Sequence, residues 1–500
     1  MKTLNCKSSL SLFLVVLTVG GLLPWGALAG EGDWRGKVSP FVAARLNAGT
    51  DVEVMVRMRV RADLQGVANI RERTPRIGEV VRRLRGAASS QQPLLDLLER
   101  AGVDYRSFWV VNAVWLRGDS ALIERIARRA DFAPVHANPE VRADLPVVAH
   151  NAGAAVGVEP NLIVVGAPDV WAQGTDGQGV VIAGQDTGYD WNHPALKQQY
   201  RGWDGSAADH DYNWHDAIHV ANGDCPADSP EPCDDNSHGT HTMGTMVGDD
   251  GASNRIGMAP GARWIGCRNM NEGAGTPSSY TECFQWFLAP TEIGGANPDP
   301  ARAPHVINNS WACPPSEGCN DPEILRQVVE NVRAAGIAVV ASAGNSGSSC
   351  ASVSNPPAIY AASFSVAATD NGDNVASFSS RGPVTVDGSE LLKPEISAPG
   401  VSVRSSEPGG VYGFKSGTSM AGPHVAGLLA LLMDVDPAVK RDVAALQALT
   451  TSTAVPLTHE QDCGGTPGSA IPNNTTGWGR IDAPAAVNAA TEIFFTDGFE

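Results

Sequence analysis

An α/β fold is predicted for most of this 500-residue chain: a doubly wound parallel sheet, preceded by a small α+β unit. Three observations predict it. From about residue 179 onward, short β-branched or apolar runs, apolar on both faces, alternate with helical patterns, as parallel strands covered by helices do. Ahead of them, strand-like and helix-like patterns each occur twice within about one hundred residues, enough for a small α+β unit. The two regions also differ in charge: Gly30 to Leu145 holds 19 basic residues against 15 acidic, whereas the chain from Pro146 holds 15 against 39.

Lys2 and Lys7 precede an apolar run, Leu10 to Leu23, followed by Pro24 and the small-x-small triplet Ala27-Leu28-Ala29. That is the pattern of a secretory signal peptide, residues 1–29, cut after Ala29. The run is short for a bilayer span of ~20 residues. No later segment reads as a span, so an exported bacterial protein, extracellular or periplasmic and without a membrane partner, is expected.

The unit expected at 30–145 starts with residues 52–61, DVEVMVRMRV, whose alternation reads as a half-buried strand. Ile77 to Leu98 has apolar residues at helical spacing with Arg between them. Ser107 to Leu116 reads as a second strand, and Ser120 to Arg129 as a second helix with Ser120 as its cap. From Pro139 to Val158 periodicity gives way to Ala, Gly and Pro, so a linker is expected at 146–160.

In the domain expected at 161–490, strands are predicted at Gly179–Gln185, Arg263–Arg268, His305–Asn309, Ile337–Ser342 and Ser363–Ala368, with helices at Asp321–Ala335 and Thr418–Met433. Residues 200–236 and 269–304, rich in Asp, Gly, Pro and Trp, read as irregular surface insertions. Residues 491–500 form a tail outside the pattern. The acidic balance of this larger part argues against nucleic acid as a partner.

Without Cys6 of the signal peptide, eight cysteines remain, an even set that reads as disulfides in an exported protein. Cys225/Cys233 and Cys313/Cys319 are close enough in sequence to pair locally, and Cys267/Cys283 is a further candidate. A zinc site would call for a C-x-x-C pair with partnering His, which is not seen.

Three segments carry chemistry. In GVVIAGQDTG an apolar strand delivers Asp186 at its carboxyl end, where open α/β sheets present ligands. In DDNSHGTHTMGTMVG, His238 opens a helix of small residues whose glycines permit close approach of neighbouring backbone; an imidazole paired to Asp186 would hold the tautomer that accepts a hydroxyl proton. His241, one turn on, is read as a buried, hydrogen-bonded histidine. In KSGTSMAGPHVAGLLALLM, Ser419 begins a helix apolar on every side, hence a core helix, with Pro423 read as lying in the first turn. Ser419 would sit in the positive field of the helix start; His424 is read as structural. In GIAVVASAGNSG a strand delivers Asn345 between glycines, placed to donate a side-chain amide to an oxyanion.

Jointly these segments, with GMAPGARWIGCRN, VINNSW, SFSVAATD and ISAPG, resemble the subtilases, the subtilisin-like serine peptidases, over about Asn161 to Val487, and Asp, His, Ser is that family's chain order. HGTHTMGTMVGDDG, ECFQWFLAPT, HVINNSWACPPSEGC and FSSRGPVTVDGS look most like the bacillopeptidase F group. The resemblance implies a subtilisin-like fold and a serine endopeptidase that needs no cofactor for its chemistry. Ser419 would be the nucleophile, His238 the base and Asp186 its orienting partner, with Asn345 and the Ser419 N–H for the oxyanion. Ser310-Trp311-Ala312 would pair with an extended polypeptide substrate; Ala312 stands where most subtilases carry Gly, which leaves side-chain preference open.

Residues 30–145 would be a ferredoxin-like propeptide, chaperone and inhibitor of its own enzyme, removed by self-cleavage near the linker; slow folding of parallel sheets gives such a template a physical purpose. Structural calcium, known in many subtilases, would find oxygen ligands in Asp204–Asp216 or Asp224–Asn236. The sequons in Asn473-Asn474-Thr475-Thr476 are read as unused. Two other functions compete. An inactive subtilase-fold binding protein would be expected to have lost one of Asp, His or Ser, and an esterase would carry G-x-S-x-G with Ser first.

Overall fold

The structure is a computed structural model that describes residues 34–139, 141–142, 147–149, 157–314, 321–436 and 439–497. The expected signal peptide, Cys319 and the last three residues lie outside these.

The N-terminal unit opens with α1 (Pro40–Asn47) and β1 (Val52–Met58). In place of one helix over Ile77–Leu98 come α2 (Arg73–Ala88) and α3 (Gln92–Ala101). Between them the Ser89 and Ser90 hydroxyls donate to Gly86 O and Ala87 O at 2.7 and 2.8 Å, competing with the helical ladder, and Pro93 starts a new first turn. The strand expected at Ser107–Leu116 is two antiparallel strands, β2 (Tyr105–Phe108) and β3 (Ala113–Gly118). Asn112, at φ 49°, turns the chain between them while its amide donates to Val60 O and Ala87 O.

Helix α4 (Ser120–Ala127) is capped by Asp119 rather than Ser120, through a 2.8 Å bond from the Leu122 N–H. An unexpected β4 (Phe132–Ala137) completes a sheet of order β2-β3-β1-β4. Its Pro134 hid it, and the edge position is where proline is tolerated. The stretch read as a linker contains β5 (Val141–Arg142), β6 (Val147–Ala149) and β7 (Gly157–Val158).

The larger part begins with α5 (Pro160–Val164), α6 (Ala167–Trp171), β8 (Val181–Asp186) and β9 (Trp214–Asp216). Then come α7 (His238–Val247), β10 (Asn254–Arg255), β11 (Arg263–Arg268), β12 (Met270–Asn271) and β13 (Ala274–Gly275). The region 269–304, expected to be irregular, holds α8 (Pro277–Leu288), started by a capping box between Thr276 and Ser279. It is buried on nearly every side, so no polar face marks it in the sequence.

Next are β14 (Val306–Asn309), α9 (Arg326–Ala334), β15 (Ala338–Ser342) and β16 (Phe364–Thr369). Helix α9 starts five residues later than expected, because Asp321 turns its carboxylate onto the Glu323 N–H. The chain ends with β17 (Ile396–Pro399), β18 (Val403–Glu407), β19 (Val411–Ser416), α10 (Thr418–Val435), α11 (Val443–Ser452) and α12 (Ala483–Asp497). Helix α12 runs into the stretch read as a tail.

The main sheet has seven strands in the order β17-β16-β15-β14-β8-β11-β9, all neighbours parallel. The chain leaves β8 toward β11 on one side and returns as β14 on the other, so the switch point lies at β8, whose last residue is Asp186. Helix α10 is buried from Thr418 to Met433. Against expectation, its length and composition would suffice to cross a membrane, but it is enclosed by the protein's own core.

The N-terminal unit has its own core, around Val54, Leu98, Ile123 and Phe132. Its other face joins a hydrophobic cluster with α8 and α9 through Met55, Ile77, Phe108 and Val110. Polar ties cross this boundary. Arg73 donates to Ala303 O and Pro304 O, Arg76 Nε to Ala334 O at 2.8 Å, and Asn331 Nδ2 to Val110 O at 2.6 Å. Among the described residues, ion pairs of Arg106 with Glu282 and of His136 with Asp321 cross as well.

Candidate active site

Asp186 ends β8, and the carboxyl ends of its neighbours supply the surroundings: β14 runs into Ser310 and β15 into Gly344-Asn345. Asp186 Oδ1 accepts the Nδ1–H of His238 at 2.7 Å and the Thr187 N–H at 2.8 Å, with both side chains buried. That places the proton on Nδ1 and leaves the Nε2 lone pair, which has no hydrogen-bond partner among the described residues. His238 is the first residue of α7, as predicted. Gly239 follows because a Cβ there would stand 2.1 Å from Gly188 O and 3.1 Å from Asp186 Cβ.

Ser419 is the second residue of α10, where its N–H has no intrahelical acceptor. Its hydroxyl donates to Ser310 O at 3.1 Å. Pro423 is not in the first turn, as expected, but in the second. Having no N–H, it cannot donate to Ser419 O, and the Ser310 hydroxyl does so instead at 3.0 Å. Likewise Ser342 Oγ donates to Thr418 O at 3.0 Å.

Asn345 Oδ1 accepts both the N–H and the hydroxyl of Thr418 at 2.9 Å. Both bonds use the oxygen, so the NH2 end of the amide is not the one held by Thr418. Trp311 is stacked on Tyr280 with centroids 3.7 Å apart and planes at 6°, while Ala312 beside it is partly exposed.

His241 and His424, the other histidines of the segments around His238 and Ser419, are buried and hydrogen-bonded within the protein. His241 Nε2 donates to Val403 O and Gly413 O, and burial pushes it well below the usual imidazole range. His424 donates from Nδ1 to Met420 O and accepts from Asn161 at 2.7 Å; burial lowers it to about 4.

Disulfides join Cys225–Cys233 and Cys267–Cys283, as considered, and also Cys350–Cys463. Cys313 is disulfide-bonded, and its expected partner Cys319 lies outside the described residues. In the stretches considered for calcium, several carboxylates are engaged: Asp204 by Ser206 and Ala207, Asp216 and Asp235 by the buried Arg268. Among the described residues no group of three His, Cys, Asp or Glu is arranged to hold a metal ion. Asn473 and Asn474 of the sequons are buried, with Asn473 Oδ1 capping the Thr475 and Thr476 N–H groups.

From the sequence Thr187 is read only as turning the chain after Asp186, and Asp234, Ser342 and Thr418 carry no mark of a role at the site. Each sits within a few residues of a chosen one, and adjacency was the only signal available.

The sheet brings Asp186 and His238 to the carboxyl end of β8 and Ser419 against the end of the neighbouring β14, residue types of the class that serine peptidases use. The family model described as "Subtilase family" matches residues 177–479. Bacillopeptidase F of Bacillus subtilis (strain 168) is 39% identical over 428 residues, 81% of this chain but 28% of that protein. Subtilisin E of the same organism is 30% identical over 353 residues, 70% of this chain and 78% of its own. Subtilisin of Bacillus pumilus is 33% identical over 273 residues, 54% and 82% respectively. The chain belongs to the subtilase family, whose members are serine endopeptidases.

Proposed function

We propose that this protein is a secreted endopeptidase made as a self-processing precursor, with Ser419, His238 and Asp186 as its catalytic residues. Ser419 Oγ attacks the carbonyl carbon of a peptide bond while its proton passes to His238 Nε2, and Asp186 stabilises the charged imidazole. The oxyanion is held by the Asn345 NH2 and the Ser419 N–H. The imidazole then protonates the leaving amine, and water cleaves the acyl-enzyme by the same route in reverse. In the resting state the hydroxyl is bonded to Ser310 O, so it turns to Nε2 when substrate binds. The observation that carries this reading is the buried 2.7 Å Asp186–His238 bond, with Nε2 left as the acceptor.

The N-terminal unit, residues 30–145, acts as inhibitor and folding partner. Supporting this, β5 pairs antiparallel with β13, and β6 pairs with β19, the strand that leads into Ser419. Those two flanks bracket the bond to be cut, between Arg142 and Val147. Extended substrates add to that first edge, β13, and to Ser310-Trp311-Ala312. Disulfides agree with an oxidising, extracellular compartment.

The test is expression of residues 30–500 beside Ser419→Ala. The parent is expected to shorten by about the mass of its N-terminal unit, with a new N-terminus between 143 and 147, and to digest casein. The Ala variant should stay full-length and inert. Equal processing and digestion by both would reject the assignment.

A further inference from the structure

We infer that Asp234 is a positioning residue for the catalytic pair: its carboxylate ties the loop that carries Asp186 to the first turn that carries His238. The inference rests on the catalytic reading above and adds a residue to it.

A helix start leaves its first N–H groups without intrahelical acceptors, and the usual remedy is the side chain of the N-cap residue. Here the N-cap is Ser237, at φ 72° and with no side-chain capping bond; its hydroxyl instead accepts from Lys415 Nζ at 2.9 Å. The task passes to two residues from elsewhere. Asp234 Oδ2 accepts the Thr240 N–H at 3.0 Å, and Thr187 Oγ1 accepts the Gly239 N–H at 3.0 Å. Thr187 is the residue after Asp186, so one N–H of the first turn of α7 is capped from the Asp186 loop itself.

Asp234 closes the ring. Its Oδ1 accepts the Thr187 hydroxyl at 2.8 Å and the Asn236 and Ser237 N–H groups at 3.0 Å, and its Oδ2 also accepts the Thr240 hydroxyl at 2.5 Å. A single carboxylate thus takes five donors, four on the turn surrounding His238 and one on the neighbour of Asp186. Asp186 reaches the turn through the His238 imidazole, whereas Asp234 holds the turn's backbone N–H groups and the Thr187 hydroxyl together. Burial raises the Asp234 carboxyl against the pull of these donors.

The two loops have no slack between them. A Cβ on Gly188 would lie 1.7 Å from Cys233 O, and the Cys225–Cys233 disulfide fixes the approach to Asp234. A shift of the turn therefore moves His238 relative to Asp186 directly, and misplacement of about 1 Å at a reacting group costs on the order of 10²-fold in rate.

The test uses the processed enzyme carrying Asp234→Asn, Thr187→Val, Thr187→Ser or the Asn/Val pair. Steady-state kinetics on a chromogenic peptide and thermal midpoints are measured for each. Asp234→Asn is expected to lower kcat about 10- to 100-fold with KM changed less than about threefold. Thr187→Val should lower kcat in the same way, Thr187→Ser should restore it, and the double variant should lose less than the product of the single losses.

Lower thermal midpoints with parental kcat would mean a merely structural role and overturn the inference. If Asp234→Asn does not fold, equal kcat for Thr187→Val and Thr187→Ser overturns it just as well. His238→Ala and Ser419→Ala run alongside: should they stay active, the catalytic reading itself fails, whereas dead controls with a fully active Asp234→Asn remove only this inference.

Discussion

At Ser419 a missing donor and an added one answer each other. Pro423 leaves the Ser419 carbonyl without its helical N–H, and Ser310, at the end of the adjacent strand, supplies a hydroxyl. The same strand end accepts the Ser419 hydroxyl through its own carbonyl, so one residue pins both the backbone and the side chain of the proposed nucleophile. Asn345 is held from the other side by Thr418. Asn345→Ala is expected to lower kcat by on the order of 10²–10³ with KM nearly unchanged, a magnitude known from subtilisin itself rather than obtained from this geometry. Steady-state kinetics check it, and a loss below threefold would take Asn345 out of the oxyanion site.

Among the elements, α7 and α10 carry the site because glycine lets them lie against other backbone. Gly244 faces β18 so closely that a Cβ would stand 2.2 Å from Ser406 Oγ and 2.4 Å from Ser405 Oγ. Those hydroxyls donate to Thr240 O and His241 O at 2.8 Å, fastening α7 to the β18 hairpin. Gly427 meets Met258 in the same manner on α10. In a Ser419→Ala background that cannot digest itself, Gly244→Ala should cost about 1–3 kcal/mol, the usual range for overpacking a filled interior. Denaturant unfolding would show it as a lower midpoint at unchanged slope. An unchanged midpoint would mean that the helix can move away from the hairpin without loss.

For the whole molecule, the boundary between the N-terminal unit and the peptidase part turns on Glu282 of α8. Its carboxylate takes Arg106 from the N-terminal unit at 3.3 Å, and His215 and His219 at 3.0 and 3.2 Å; His219 also holds Asp228. Burial pushes Glu282 up, but the two histidine hydrogen bonds outweigh it and hold the carboxyl far below its usual range. Burial lowers His219, yet its bonds to Glu282 and Asp228 leave it raised, with Arg106 pulling the other way.

A depressed carboxylate contributes stability above its unfolded value of about 4.3, lost as pH falls through the folded value. A raised imidazole contributes below about 6.5, lost as pH rises through its folded value. The cluster therefore helps most between these limits. In Ser419→Ala precursor, the thermal midpoint should fall between pH 6 and pH 8, and fall less in His219→Gln. Parallel curves for the two proteins would show that this cluster does not titrate with unfolding.

Much of this was legible because it is local. Asp186, His238 and Asn345 each stand at a strand end or helix start that short-range patterns mark, and the parallel strands announce themselves by being apolar on both faces. The single segment read over Ile77–Leu98 broke in two because Ser89 and Ser90 bond back to the preceding turn, a choice that periodicity does not register. Helix α8 escaped notice because burial on all sides removes the polar face that would reveal it. Tertiary structure alone decided which groups meet across the chain: the second acceptor for Thr187 in Asp234, the hydroxyl that replaces the missing Pro423 donor, the bond between Cys350 and Cys463. Those are contacts between residues distant in sequence, set by how strands order in the sheet, and no local preference of either partner encodes the other.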